Sequence, residues 1–141
     1  YINDTFCLTY GDGVANLDIL KTISFHKNHG KLATVTAVQP PGRWGSLTIN
    51  NDYVENFSEK IKGDKAWING GYFVLEPGVF DLIDGDSCIW EQKPLMELAR
   101  KKELVSYKHD GFWQPMDTLR DKNKLEELWE DNSSPWKIWN D

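Results

Sequence analysis

The sequence predicts a mixed α/β domain, and three observations carry that expectation. An apolar run over residues 5–10 is followed by apolar positions at helical spacing and then by a continuous β-branched run over 32–38. This strand–helix–strand pattern favours parallel strands joined by a right-handed crossover. Two strand-like runs flank Asn50-Asn51-Asp52, which predicts a hairpin and makes the sheet mixed rather than purely parallel. Helical and strand-like segments then alternate to the end, with no repeat, low-complexity tract or clear linker, so a single domain over 1–141 is expected.

Residues 5–10 read as a short buried strand that stops at Gly11-Asp12-Gly13. Leu17, Ile19, Leu20 and Ile23 supply the apolar positions of a helix that stops at Gly30. Residues 32–38 read as a strand buried on both faces. Gln39 to Gly45 is a loop by its Pro and Gly content, and 46–49 with 53–57 form the hairpin. Residues 60–65 are polar and loop-like, and 67–75 read as another strand. Pro77 lies in the first turn of a short helix reaching Ile83. Residues 89–102 are helical with Pro94 near the start, 104–107 form a strand, and 118–130 form an amphipathic helix carrying Leu119, Leu125, Leu128 and Trp129.

Composition excludes several classes of function. The net charge is −6 and the pI about 5.0, which disfavours a nonspecific nucleic-acid binder, since that needs a positive surface. No run approaches the roughly 20 apolar residues that span a bilayer, and neither a polybasic patch nor a signal-peptide pattern is present, so no membrane association is expected. An anionic ligand would need local cations or a metal against this acidic background. Cys7 and Cys88 are the only cysteines and lack metal-type spacing, so two buried thiols in a cytoplasmic protein are expected.

The residues that carry chemistry are few. A carboxylate between two glycines at the end of a strand is either a simple turn or a metal ligand at the mouth of a sheet. Glycines there permit backbone angles that a side chain forbids, and leave room for something large near Asp12. His26 and His29 share a helix face, but no third zinc ligand lies nearby in sequence. His109 is expected to be a loop histidine satisfied by the backbone. No Gly-x-Ser-x-Gly occurs and nothing marks either cysteine as a nucleophile. Trp44, in a Gly-rich loop, suits either packing or stacking on a sugar face. Glu59-Lys60 is either a solvated pair or a site in which Lys60 reaches a phosphate and Glu59 accepts from sugar hydroxyls. Asp117 or Thr118 caps the last helix, and Asp117 also suits a Mg²⁺ site with Asp12. Spacing alone does not bring residues 12 and 117 together.

Four stretches resemble the glucose-1-phosphate cytidylyltransferase group of the sugar nucleotidyltransferase family: Phe6-Cys-Leu-Thr-Tyr-Gly-Asp-Gly-Val14, Gln39-Pro-Pro-Gly-Arg-Trp-Gly45, Trp67-Ile-Asn-Gly-Gly-Tyr-Phe-Val-Leu-Glu-Pro77 and Gly111-Phe-Trp-Gln-Pro-Met-Asp-Thr-Leu-Arg-Asp-Lys-Asn123. The resemblance covers nearly the whole chain; the last stretch and the closing Pro135-Trp-Lys-Ile-Trp139 are specific within the family. It implies a Rossmann-like nucleotidyltransferase fold with a mixed, mostly parallel sheet. It implies Mg²⁺-dependent formation of CDP-glucose and pyrophosphate from CTP and α-D-glucose 1-phosphate, in a cytoplasmic homo-oligomer that serves lipopolysaccharide O-antigen biosynthesis. By the same resemblance Asp12 and Asp117 are metal ligands, and Lys60 is the catalytic lysine on the sugar phosphate. Glu59, Gly45, Asn69 and Gly70 then line the sugar pocket with Lys60.

Two departures stand out. Ile61 follows Glu59-Lys60 where the family often has proline, and the family's Gly-rich nucleotide loop with its Gly-Thr-Arg signature is nowhere in these residues. The chain therefore reads as the C-terminal portion of one nucleotidyltransferase domain, inactive alone, with its nucleotide-binding residues largely upstream of Tyr1. The alternatives are a nucleotidyltransferase using dTTP or UTP, and a non-catalytic sugar- or nucleotide-binding domain. A Trp-rich carbohydrate-binding module, usually a β-sandwich, does not suit a chain with several helices.

Overall fold

The structure, a computed structural model, describes residues 2–40, 46–50, 53–58 and 67–139. In chain order the elements are β1 (Phe6–Thr9), β2 (Gly13–Ala15), α1 (Ile19–His29), β3 (Ala33–Val38), β4 (Ser46–Asn50), β5 (Tyr53–Ser58), β6 (Ile68–Leu75), a 3₁₀ helix (Pro77–Leu82), α2 (Lys93–Arg100), β7 (Leu104–His109), β8 (Trp113–Pro115) and α3 (Leu119–Glu130). Every expected helix and strand is present, with the segment after Glu76 wound as 3₁₀. The short strands β2 and β8 are additions.

The main sheet has the order β1-β6-β3-β7. Strands β1 and β3 both pair antiparallel with β6, and β7 pairs parallel with β3, so β1, β3 and β7 run one way and β6 runs against them. The sheet is therefore mixed, with three of four strands in one direction. The strand–helix–strand start gives parallel β1 and β3 as expected, but they are not neighbours, because β6 is inserted between them. Strands β4 and β5 form the expected hairpin, and β2 and β8 a separate antiparallel ribbon. No helix among the described residues is long and apolar enough to cross a membrane.

Side-chain alternation divides the sheet into two faces. Ala33, Phe73 and Leu75 point to one side and pack with Val79 of the 3₁₀ helix and Leu98 of α2 into the main core. Pro94, buried in the first turn of α2, costs no helical hydrogen bond there. The other face carries Thr34 and Thr36, both fully buried, and meets α1. β3 is buried at five of its six positions, as its β-branched run predicts.

Two expectations about burial, for β1 and for the cysteines, are corrected, and two helices bury fewer apolar residues than their spacing offers. β1 alternates between half-buried and exposed, because it is an edge of the described sheet. Cys7 is consequently exposed and Cys88 half-buried, so neither is the buried thiol expected. In α1 the inward residues are Thr22 and His26, while Ile19 and Leu20 are 54% and 77% exposed. In α3 only Leu125 is buried; Leu119 and Trp129 are exposed.

The polar face of α1 follows from a directed hydrogen-bond chain. The Lys31 backbone N–H donates to His29 Nδ1 at 3.0 Å, so in the neutral ring His29 carries its proton on Nε2 and donates to Thr34 Oγ1 at 2.7 Å. Thr34 can then give its proton to His26 Nδ1 at 2.8 Å, and His26 Nε2–H donates to Glu76 Oε1 at 3.0 Å. Thr5 Oγ1 donates to the same carboxylate oxygen at 2.7 Å. The chain ties β1, α1, β3 and the end of β6 together and satisfies polar atoms that would otherwise be costly to bury. The two histidines are thus structural. His109, at the end of β7, donates from Nε2 to the Phe112 carbonyl at 3.1 Å, the backbone role expected of it.

α1 is closed by Asp18, whose side chain accepts from Lys21 N–H, and by Gly30 at φ 63°, whose N–H returns to the His26 carbonyl. In α3, Thr118 rather than Asp117 is the cap, and Asp121 completes a capping box with it.

Candidate active site

The carboxyl ends of β1, β3 and β7 lie at one end of the sheet, where ligands of open α/β sheets bind. The segment containing Asp12 leaves β1 at this end, the loop after Val38 leaves β3, and Asn69 opens β6 alongside. Gly45, Glu59 and Lys60 lie outside the described residues, as do Trp44 and Ile61. The structure therefore positions Asp12, Asn69, Gly70 and Asp117 of the expected site.

The β2–β8 ribbon brings the chain segments that hold the two aspartates alongside each other. Gly13 pairs with Pro115 and Ala15 with Trp113. Continuing this register, the Met116 N–H donates to the Asp12 carbonyl at 2.6 Å, so Asp117 is the next residue along. Residues 105 positions apart in the sequence thus lie on adjacent backbone segments, one step off register. Both are exposed. Neither glycine beside Asp12 has a positive φ, so the turn does not require forbidden angles. The position a Cβ would take at Gly11 is open space, which leaves room for the approach of a large group.

Two hard oxygen donors of this kind fit Mg²⁺, which is held by one or two carboxylates and takes its other ligands from phosphate and water. Among the described residues no cluster of three or more His, Cys, Asp or Glu forms a metal cage, so a soft-ligand or fully protein-ligated site has no support there.

Asn69 to Tyr72 form the floor beside the Asp12 turn. Between Val35–Phe73 and Ala37–Asn69 the β3–β6 register shifts, and β6 carries extra residues opposite Thr36. Gly71 sits in this bulge at φ 80°. Gly70 is buried; a Cβ there would lie 2.8 Å from Val38 Cγ1 and 2.9 Å from the Thr36 backbone carbonyl. Backbone cannot yield, so Gly70→Ala is expected to cost about 1–3 kcal/mol by overpacking, measurable by chemical denaturation. Asn69 is exposed, with its amide Nδ2 donating to Tyr10 Oη at 3.1 Å and its Oδ1 accepting from Gly71 N–H at 2.9 Å.

Three site residues escape the sequence reading: Tyr10, Tyr72 and Trp113. Tyr10 N–H donates to the Gly71 carbonyl at 2.9 Å. Burial first, and then the nearby Glu91 and Asp12 carboxylates, push its phenol up to about 12 against the opposing Asn69 bond, so it remains a neutral donor. Tyr72 Oη donates to the Gly13 carbonyl at 2.8 Å, and Trp113 Nε1 to the Gly70 carbonyl at 2.9 Å. The available signal was position: each aromatic stands next to a glycine-containing or proline-containing motif already singled out.

Comparison with known proteins gives relatives of similar sequence. No protein-family profile matches the chain. It is 61% identical to the glucose-1-phosphate cytidylyltransferase of Salmonella typhimurium over 141 residues, which is 99% of this chain and 55% of that protein. It is 42% identical to a probable glucose-1-phosphate cytidylyltransferase of Bacillus subtilis over the same shares. The chain thus spans about half the length of the curated relatives it matches. Among solved structures, a putative glucose-1-phosphate thymidylyltransferase from Bacillus anthracis superposes with a TM-score of 0.63 at 20% identity, covering 92% of this chain and 56% of that one. HddC from Yersinia pseudotuberculosis gives 0.62 at 21% identity, covering 89% and 56%. These structures share the fold. Over nearly its whole length the chain is similar to glucose-1-phosphate cytidylyltransferases.

Proposed function

We propose that this chain is the C-terminal portion of an enzyme that transfers a cytidylyl group from CTP to α-D-glucose 1-phosphate. The observation that supports the reading is the bond from Met116 N–H to the Asp12 carbonyl, which brings the Asp117 segment alongside the Asp12 turn at the carboxyl end of the strands. The 61% identity to a cytidylyltransferase supports CTP as the nucleotide.

A phosphate monoester has a second pKa of about 6, so at neutral pH it is already a nucleophile and needs no strong general base. The absence of any catalytic role for the described histidines agrees with this. A sugar-phosphate oxygen attacks the α-phosphorus of CTP; the bond from that phosphorus to the bridging oxygen breaks, and pyrophosphate leaves. The difficulty is the approach of two anions. Asp12 and Asp117 would hold Mg²⁺, and Lys60 would pair with the sugar phosphate. Mg²⁺ supplies neutralisation of phosphate charge and a template for in-line displacement. The protein holds the reacting groups in line and offsets their repulsion. Gly45, Glu59, Asn69 and Gly70 shape the glucose pocket in this reading. Nucleotide binding lies outside these 141 residues, so the chain alone does not turn over. The intact protein is a cytoplasmic homo-oligomer serving O-antigen synthesis.

The test is a competition assay on the intact protein with CTP, dTTP and UTP, glucose 1-phosphate and Mg²⁺, following pyrophosphate and identifying the sugar nucleotide by mass. CTP is expected to be preferred by about a hundredfold or more. Equal use of dTTP or UTP would replace the cytidylyl assignment. No turnover with any of them would leave a binding domain.

A further inference from the structure

The β2–β8 ribbon that carries the two aspartates has three residues in each strand. A ribbon this short is marginal by itself, so its orientation on the sheet depends on its anchors. Each strand has a side-chain anchor to residues 70–72 of β6. On β2, the Gly13 carbonyl accepts from Tyr72 Oη at 2.8 Å. On β8, Trp113 Nε1 donates to the Gly70 carbonyl at 2.9 Å, with the same nitrogen 3.8 Å from where a Cβ of Gly13 would lie.

The ladder explains why these anchors are available. Met116 N–H bonds the Asp12 carbonyl and Asn16 N–H bonds the Phe112 carbonyl. Hydrogen-bonded pairs alternate along an antiparallel ladder, so Gly13–Pro115 is a non-hydrogen-bonded pair and the Gly13 carbonyl points away from β8, toward Tyr72. On β6 the bulge opposite Thr36 turns the Gly70 carbonyl toward the ribbon. The Asp12 turn is therefore held at Tyr10 by the Gly71 carbonyl, at Asp12 by Met116, and at Gly13 by Tyr72. Trp113 closes the remaining side, from β8 to β6.

We propose that Tyr72 and Trp113 are positioning residues that set the placement of the Asp12 and Asp117 carboxylates relative to each other and to β6. This rests on the reading of those aspartates as divalent-cation ligands. Both residues are exposed and sit on a turn and just before a helix cap, so the placement of the backbone that bears them depends on how the ribbon is anchored. A small divalent ion with strict octahedral demands is sensitive to such placement.

The test uses the intact protein with Mn²⁺ as probe, its free concentration read by EPR in the presence of saturating CDP-glucose. Tyr72→Phe removes one oxygen and keeps the ring; Trp113→Phe removes the other donor. Each is expected to weaken Mn²⁺ binding by about three- to tenfold, the effect of one lost hydrogen bond. Turnover lost at low Mg²⁺ should return as Mg²⁺ is raised. If the variants melt earlier but bind Mn²⁺ as tightly as the parent, the residues are structural and the proposal is overturned. Asp12→Asn separates the two layers of the inference. Should it leave Mn²⁺ binding unchanged, the metal reading itself fails; should it abolish binding while Tyr72→Phe changes nothing, only the positioning role fails. If Trp113→Phe does not fold, Tyr72→Phe decides alone.

Discussion

Asp12→Ala and Asp117→Ala in the intact enzyme are each expected to lower turnover by roughly 10²–10⁴-fold, the range for removing a principal electrostatic stabiliser of a phosphoryl transition state. The loss should be catalytic rather than structural. Both residues are exposed, and helix capping is carried out by Thr118 and Asp121 instead of Asp117. Exposed substitutions away from caps and core usually change stability by about 0.5 kcal/mol or less. The checking measurement is pyrophosphate release at saturating substrates across a Mg²⁺ titration, with thermal melting alongside. On the proposal that the two carboxylates hold one ion, the double variant should lose little more than the worse single one. Unaltered turnover at low Mg²⁺ in either variant would remove that residue from the metal site.

The second large effect is on stability, and it is acid-sensitive. The chain from Lys31 N–H through His29, Thr34 and His26 to Glu76 needs a neutral His29 and an ionised Glu76. Burial, and then the neighbouring His26 and Lys31, hold the His29 imidazole below its ordinary value of 6.5, with Glu103 opposing. The Thr5 hydroxyl first, and then His26, hold the Glu76 carboxyl below 4.5, against burial and Asp4. Both folded-state values are depressed. The unfolded chain therefore binds more protons as the medium becomes acidic, and stability declines as pH falls. The His29 contribution is complete above about 6.5 and is lost on descending from there; the Glu76 contribution is lost below about 4.5. Urea denaturation of the protein at pH 7.5, 6 and 5 should show midpoints falling in that order. His26→Leu, which leaves the Thr34 hydroxyl without its acceptor at a fully buried site, should cost about 1–3 kcal/mol at pH 7.5. Equal stability across that pH range in the parent would show that the imidazole of His29 titrates identically in the folded and unfolded chain.

Much of the fold was legible because its signals are local. The β-branched run of β3, the Pro at the start of α2, Gly30 after α1 and a cap at Asp117 or Thr118 each act through the backbone of their own segment, so sequence suffices to place them. Burial was read less well. Ile19, Leu20, Leu119 and Trp129 are apolar at helical spacing yet exposed, because the partner surface rather than the pattern decides which face turns inward. On α1 His26 takes an inward position because the facing strand presents the Thr34 hydroxyl to its ring, and Thr22 turns inward with its own hydroxyl satisfied by the Asp18 carbonyl.

By itself the sequence determined the class of the domain, its helices and longer strands in order, the resemblance to the cytidylyltransferases and the two aspartates as candidates. Only the tertiary structure decided that β6 inserts between β1 and β3, that a six-residue ribbon brings the Asp12 and Asp117 segments alongside each other, and that Tyr72 and Trp113 anchor it. The physical reason is range. Caps, turns and strand propensities are settled within a few residues, whereas pairing partners 59 and 43 positions apart are selected by register, and register is settled by how whole faces of the sheet are buried. Gly70-Gly71 lies between these cases. Two glycines inside a strand pattern announce a bulge or a close approach. That the bulge opposes Thr36 and turns a carbonyl to Trp113 became visible only once the strands were paired.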